Sequence, residues 1–518
     1  MENLIQIAKR SQEESKPFPE AEGTIKVNES VGQAAFYYEK LRNSLDWQDE
    51  HLFLKNAIKR ILKRRVYLKM RQSDNARVIL RELVWAKYFK NETIPLSYVD
   101  EVATILRKYN FLRKFVKSNQ NSTQITEIVL GLAACEIERF LRPSTAQQEF
   151  LEITTNCIAG NLHIAETEIE SGELSRKLHI GVARELFKFD LDQLRFDLVK
   201  NFYPRWPIIS KAEAEEFGKN FDQNLKWMTR QIFDPSSYRL QRYARRHIPA
   251  FRIIWEIIGQ RYDGHEVLRD EETLESAAQG IIRRRNKQIY SRVMRSIVRG
   301  IIFILLTKII LALIVEYPFE LHYLGAVNYT ALSVNVLLPP LLMLIIGLFI
   351  RVPGHKNTQI LIRQVEEIVL RGKYEQAPVL TLKHKRSRAY LLFNILHFLS
   401  SVAILILVTW GLIALQFNLV SIVLFFFFVS LVSFLAFRIA AIAKELEVRR
   451  RDETVIIGIF NFIFLPFVYI GKVLSEQWSN YNVTLWFWDF IIEAPFKTIM
   501  SVFESWLVFV REKREDFE

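Results

Sequence analysis

The chain has 518 residues and a formal net charge of +13 at neutral pH, a length that accommodates two or three domains. Its two cysteines, Cys135 and Cys157, exclude a disulfide framework and lack the spacing of a metal-binding pair. Lys and Arg gather beside long apolar runs, which favours a membrane surface over nucleic acid as the partner of this basic chain. The first residues lack the apolar stretch of a cleavable signal peptide, so none is expected.

The N-terminal half has the composition of a charged, helix-forming chain without a membrane span. Residues 1–30 are polar and are expected to be flexible. From residue 31 to residue 290, apolar side chains recur at helical spacing, and breakers such as Pro95 and Pro143 separate the segments. We predict a cytoplasmic bundle of about eight helices. Its last helix begins near Glu272 and is expected to run on into the first span.

The C-terminal half contains runs that are long enough to cross a bilayer. A spanning helix needs about 20 apolar residues, because the hydrocarbon layer is roughly 30 Å thick. Four runs between residues 291 and 452 meet this requirement: about Ile297–Val315, Tyr329–Ile350, Ala389–Leu415 and Leu419–Ile442. The second run contains Pro339-Pro340, which is expected to kink it or to break its hydrogen-bond ladder. The sequence therefore predicts an all-α protein, a helical bundle followed by a polytopic membrane domain.

The distribution of Lys and Arg orients these four runs. Cations precede the first run and follow the second and the fourth, whereas Val315–Ile350 and the connection after the third run contain none. Cytoplasmic loops of membrane proteins carry the excess of Lys and Arg. We therefore expect a multi-pass protein whose N- and C-termini are both cytoplasmic.

Residues 453–518 allow two interpretations. A fifth apolar run, Val455–Leu474, is interrupted by Asn461 and Pro466 and is interpreted as re-entrant or as half of a hairpin. The segment 484–510 has apolar and charged residues on opposite helical faces, which is typical of a helix that lies in the membrane interface. If both segments cross, the protein has six spans instead of four.

Polar residues inside the runs are the candidates for a functional site. Lys308 lies near the middle of the first run, where a charge is costly and usually faces a partner or water. Asn335, Asn394 and His397 are the polar candidates on other runs. A structural interpretation competes, since Lys308 can extend its amine to the interface and a single histidine is often a packing residue. With no second charge evident deep in another run, replacement of Lys308 by Leu is expected to be tolerated.

A basic segment precedes the first run and is a candidate for binding anionic headgroups on the cytoplasmic side. Juxtamembrane cations contribute about 1 kcal/mol each to such binding. The candidate residues are Arg283, Arg284, Arg285, Lys287, Arg292 and Arg295.

The motifs of nucleotide-binding loops, zinc proteases and serine hydrolases are absent from the sequence. His163 and Glu166 have the spacing of half a metal site, but no second half accompanies them. We therefore predict no catalytic residue, no cofactor and no metal. Three functions stay open: a membrane-anchored scaffold or interaction protein, with a protein partner or self-association; an oligomeric channel or transporter using Lys308 and the Pro339-Pro340 break; and a membrane-embedded enzyme.

Overall fold

The computed structural model describes residues 2–480 and five positions of the tail, with gaps in both parts. The gaps before residue 480 are 20–22, 46–49, 68–71, 117–121, 161, 163, 166–170, 260–263, 373–379, 382–387 and 449–454, and the tail positions are 499, 502, 506, 509 and 510. The predicted interfacial helix at 484–510 and the pair His163 and Glu166 therefore lie almost wholly outside the described residues.

Short helices build the N-terminal half. They are α1 (Glu2–Glu14), α2 (Glu29–Leu45), α3 (Phe53–Tyr67), α4 (Gln72–Trp85), α5 (Tyr98–Phe115), α6 (Ser122–Leu141), α7 (Thr145–Gly160), α8 (Ser171–Leu186), α9 (Leu191–Phe202), α10 (Lys211–Lys219), α11 (Phe221–Phe233), α12 (Pro235–Ile258) and α13 (Gly264–Val267). They are shorter and more numerous than the periodicity suggested.

Side-chain caps begin several of these helices. Asp190 caps α9 by accepting a hydrogen bond from the backbone of Gln193, and Ser210 with Glu213 forms the equivalent capping box of α10. Asp234 caps α12, whose first residue is Pro235. Such caps satisfy backbone N–H groups that have no partner inside the helix, and proline at the first helical position lacks one of these groups.

The N-terminus differs from the expectation of a flexible segment. Residues 2–14 form α1, which buries Leu4, Ile5, Ile7 and Ala8 and packs against α7 and α13. The carboxylate of Glu14 also accepts a hydrogen bond of 2.7 Å from the backbone N–H of Thr145, at the start of α7. Four apolar residues on one helical face are therefore enough to attach a segment that is otherwise polar.

The basic face of α3 is neutralised within the protein. Its cations form ion pairs with acidic residues of α2, α4, α6 and the start of α9: Lys55 with Asp190, Lys59 with Asp192, Arg60 with Glu39, Lys63 with Glu127, and Arg64 with Glu82. This face therefore contributes to packing between helices.

The membrane half follows without an interruption of the helix. Helix α14 (Glu271–Leu311) begins in the N-terminal bundle, where Asp270 caps it, and continues through the first apolar run. The next helices are α15 (Tyr317–Phe319), α16 (Tyr329–Phe349), α17 (His355–Arg371), α18 (Arg388–Ala414), α19 (Leu419–Ala443) and α20 (Val455–Asn480). Two-residue strands, β1 (Ile164–Ala165) and β2 (Leu380–Thr381), pair in parallel.

Four helices in the described part of the chain are long and apolar enough to cross a membrane, and they coincide with the four predicted runs to within a few residues, except that the first begins well before its run and ends after it. The all-α architecture is therefore confirmed. Helix α16 is unbroken through Pro339 and Pro340, and α20 is unbroken through Pro466. In α18, no residue of the most apolar stretch is buried, whereas the other three spans pack against one another.

The two halves share one hydrophobic core. A connected cluster of buried apolar residues extends from Leu4 in α1 to Met343 and Phe428 in the spans. Helix α17 contributes to it, because its apolar face buries Leu361 and Val365 against α12 and α14.

Candidate functional site

The first span changes its helical geometry near its C-terminal end. After Leu311, residues Ala312–Glu316 and Glu320–Leu324 form two π-helical turns on either side of α15, and Gly325 ends the helix with a φ of 72°. A π-turn inserts an extra residue into the helical repeat, and such turns often occur at functional sites. Here the segment carries the two acidic residues Glu316 and Glu320, which are 0% and 2% exposed.

Lys308 is paired inside the protein. Its Nζ atom lies 2.8 Å from Oε1 of Glu316, and both side chains are completely buried. The same Nζ lies 4.9 Å from the centre of the Phe428 ring in α19, within range of a cation–π interaction. The ammonium group is therefore surrounded by protein and does not reach the interface.

Two further spans hold the carboxylate of Glu316. Its Oε2 atom accepts hydrogen bonds from Nδ2 of Asn335 in α16, at 2.6 Å, and from Oγ of Ser421 in α19, at 3.1 Å. Nδ2 of Asn335 also lies 3.3 Å from the carbonyl oxygen of Ser421. Three spans therefore meet at one carboxylate, and donors from three side chains stabilise its charge.

Glu320 forms a second contact one helical turn further along the chain. One carboxylate oxygen accepts a hydrogen bond of 3.0 Å from the backbone N–H of Asn328, and the other accepts one of 2.7 Å from Nδ2 of Asn418. Asn328 and Asn418 are themselves the N-caps of α16 and α19. Glu320 thus connects the end of the first span to the first residues of two others.

The remaining predicted site residues do not join this polar cluster. Asn394 and His397 are exposed on α18, and the His397 ring contacts Phe462 of α20 at 6.2 Å between centroids. Of the four candidates, the structure brings Lys308 and Asn335 together through Glu316 and leaves the other two apart.

The cations proposed for headgroup binding lie on the part of α14 that precedes the first apolar run. Arg284 and Arg285 pair with Glu256 of α12, and Arg292 lies 3.9 Å from Glu445, just after α19. Arg283, Lys287 and Arg295 are exposed. The segment thus combines contacts within the protein with charges that face outward.

Sequence reasoning missed Glu316, Glu320 and Ser421. Glu316 directly follows the predicted run Ile297–Val315 and was not considered as a site residue. It lies two helical turns beyond Lys308, and Glu320 lies one turn further. This spacing places all three on similar faces of a continued helix, which is the signal that could have identified them.

The chemistry of the cluster is that of a closed, charge-paired contact between helices. Oδ1 of Asn335 has no hydrogen-bond partner among the described residues. In that part of the chain, no group of three or more His, Cys, Asp or Glu residues is arranged to hold a metal ion. Comparisons of this sequence with protein-family models, with curated proteins and with solved structures gave no match.

Proposed function

We propose that this integral membrane protein is a scaffold that holds its helical N-terminal domain in a fixed position at the cytoplasmic surface for a protein partner. The observation that carries the proposal is α14, a single helix of 41 residues that is part of the N-terminal core and of the first span. A continuous helix transmits position and orientation between its ends, since its backbone hydrogen bonds resist bending.

Hydrogen bonds and an ion pair outside α14 support the same function. Arg252 of α12 donates to Glu445, after α19, at 2.7 Å and to the backbone carbonyl of Glu185 in α8 at 2.7 Å. Asn357, at the start of α17, donates to the carbonyl of Leu446 at 2.8 Å and accepts from the N–H of Val448 at 3.0 Å. The Arg252 contact joins the N-terminal domain to the segment that follows the fourth span, and the Asn357 contacts join α17 to the same segment. The N-terminal domain therefore has an attachment to the membrane half besides α14.

The closed state of the polar cluster also favours a scaffold over a pore. Lys308, Glu316 and Asn335 have no exposed surface, and each carboxylate oxygen of Glu316 has a donor. Water or a solute would need an opening between spans that pack directly on one another. A paired buried charge of this kind fixes the relative position of helices, which is the role that a rigid support needs.

A channel or transporter is the second candidate function. The two π-turns of the first span and the buried ion pair favour it, because irregular helices and intramembrane charges often form solute or proton pathways. Pro339-Pro340 adds no support, because α16 is unbroken at these prolines. Such a pathway requires a second conformation in which the pair between Lys308 and Glu316 separates. A membrane-embedded enzyme stays the third candidate, without a supporting contact.

Distance measurements and flux measurements distinguish the first two candidates. Spin labels at Lys114 in α5 and at Leu348 in α16, in a background with Cys135→Ala and Cys157→Ala, report the domain position in nanodiscs by double electron–electron resonance. A scaffold gives one narrow distance distribution, and Arg252→Gln with Glu445→Gln broadens it. Arg363→Gln, which breaks an exposed pair within α17 only, is the matched control.

The same purified protein is then tested in vesicles for flux of protons and common ions. No flux together with a narrow distribution supports the scaffold. Flux in the unmodified protein that is lost in a Lys308→Gln variant of unchanged fold would establish the second candidate instead. A broad distance distribution in the unmodified protein would contradict a rigid scaffold.

A further inference from the structure

The N-terminal part of α12 has an unusual charge composition. Between Pro235 and Arg252 it contains no Asp or Glu, and its five arginines are Arg239, Arg242, Arg245, Arg246 and Arg252. Arg242, Arg245 and Arg246 are exposed. The buried carboxylate of Glu185 in α8 pairs with Arg245 at 2.8 Å. Arg242 and Arg246 take part in none of the ion pairs among the described residues.

Ion pairs define the direction in which α12 runs beside α14. Arg252 and Arg292 both contact Glu445, so these two arginines lie at the same level. Four residues later in α12, Glu256 pairs with Arg284 and Arg285, which are earlier in α14. The numbering therefore rises in one helix while it falls in the other, and the two helices are antiparallel in this region.

This direction places the arginine-rich end of α12 toward the membrane. Helix α14 approaches its apolar run as the numbering rises, so α12 approaches it as the numbering falls. Arg245 precedes Arg252 by seven residues, and Arg299 follows Arg292 by seven, a displacement of about 10 Å in each case. If the two helix axes were straight and parallel, this displacement would bring Arg245 and Arg246 to the level of Arg299, the third residue of the first apolar run.

A proline permits the end of α12 to follow the membrane surface. Pro249 lies inside the helix and cannot donate to the carbonyl of Arg245, which allows the two parts of the helix to bend relative to each other. The N-terminal part can therefore incline along the surface instead of entering the bilayer.

Exposed aromatic side chains accompany the cations. Phe233 and Tyr238 are 41% and 48% exposed, and the guanidinium of Arg184 lies within 6 Å of both ring centres. Aromatic residues are enriched where proteins meet the headgroup region, since their rings enter the interface while polar groups stay in water. Exposed cations and aromatics at the same end of α12 favour a lipid surface over a soluble partner.

We propose that Arg242, Arg245, Arg246 and Tyr238 form a second headgroup-binding surface, through which the N-terminal domain rests on anionic lipids of the membrane that the chain spans. This surface is separate from the basic segment of α14. It follows from the placement of α12, so it applies whether the protein is a scaffold or a transporter. Anionic lipids attract each cation near the membrane surface, and salt weakens this attraction by screening the charges.

The test places a fluorescent probe on this surface. Bimane is attached to Tyr238→Cys, with Cys135→Ala and Cys157→Ala, in the full chain in nanodiscs whose lipids carry a nitroxide quencher on the headgroup. We expect strong quenching in phosphatidylcholine mixed with phosphatidylglycerol, weak quenching in phosphatidylcholine alone, and a loss of the difference in high salt.

Charge variants identify the residues. Arg242→Gln with Arg246→Gln leaves the Glu185 pair intact and is expected to lower the docking equilibrium constant about five-fold per removed charge. The Lys variants of the same positions should retain quenching. Arg113→Gln with Lys114→Gln removes two exposed charges from α5, which packs on α4, α6 and α10, and should have no effect.

Two outcomes would overturn the proposal. Equal quenching in both lipid mixtures would show that anionic lipid does not hold this surface. No quenching in either mixture would show that the surface faces away from the membrane and is free for an acidic protein or a nucleic acid.

Discussion

The Nζ atom of Lys308 and the Oε1 atom of Glu316 lie 2.8 Å apart on one helix, and Asn335 and Ser421 from two other spans hold the second oxygen of the same carboxylate. The pair is therefore local in sequence, but its environment is built by three spans. A charge in this position cannot be removed alone, since its partner would stay buried without compensation.

Lys308→Leu is expected to destabilise the protein by about 3–5 kcal/mol, because Glu316 then becomes an unpaired buried charge. This differs from the tolerance expected from the sequence, which considered partners on other spans and overlooked Glu316. Lys308→Leu combined with Glu316→Leu should recover part of the loss. Thermal unfolding in detergent measures both variants, and a single variant as stable as the unmodified protein would contradict the structural role of the pair.

Asn335→Leu is expected to lower stability by about 1–3 kcal/mol, since it removes a donor from the buried carboxylate of Glu316. Asn394→Leu is the matched control, because the side chain of Asn394 is exposed on α18 and is expected to change stability little. Melting temperatures of the two variants in the same detergent make the comparison. An equal effect of both substitutions would mean that Asn335 contributes no more than a general polar residue.

Glu138→Gln tests a partly buried acid in the N-terminal domain. Burial raises the pKa of Glu138 to about 7, against the opposing effects of Lys55 and Arg139. The folded protein then holds a proton that the unfolded chain has released, so Glu138 reduces stability progressively as the pH rises from about 4.5 to about 7. Glutamine should abolish this decline and stabilise the protein most above pH 7.

The measurement for Glu138 is the melting temperature as a function of pH for the unmodified protein and the variant. Glu101→Gln, at an exposed position of α5, controls for the loss of a negative charge. If the melting temperatures of the unmodified protein and the variant differ by the same amount at every pH, a shifted pKa of Glu138 is contradicted.

The orientation of the chain is tested by labelling cysteines in whole cells. Ala326 lies in the exposed turn between α14 and α16, and His355 lies at the exposed start of α17. With both native cysteines replaced by Ala, an impermeant reagent should modify Ala326→Cys from outside and His355→Cys only after permeabilisation. Labelling of both positions from the same side would contradict the predicted topology.

Some of the architecture was predictable because it depends on composition alone. The four runs were visible because each is long and apolar. The continuation of α14 into the membrane was expected, and no proline lies between Glu272 and Ile297. Anchoring of α1 was not foreseen. Its few apolar residues matter only because α7 and α13 offer a complementary surface.

The candidate site was only partly predictable. Lys308 and Asn335 were identified because polar residues inside apolar runs are rare, and Glu316 was missed because the run appeared to end before it. Which polar residues meet depends on the packing of spans, and a single sequence contains no direct information on that packing. For the same reason Asn394, equally polar by sequence, lies outside the cluster.

Helix α17 has a consequence for the order in which the protein is made. Its residues, 355–371, follow the first two spans in the chain, yet its apolar face packs against α12 and α14 of the N-terminal domain. When the ribosome has synthesised the first 290 residues, it has not yet made α17, which covers part of the N-terminal domain. The N-terminal domain therefore stays incomplete, with an uncovered apolar surface, until the first pair of spans has entered the membrane and α17 has returned to it.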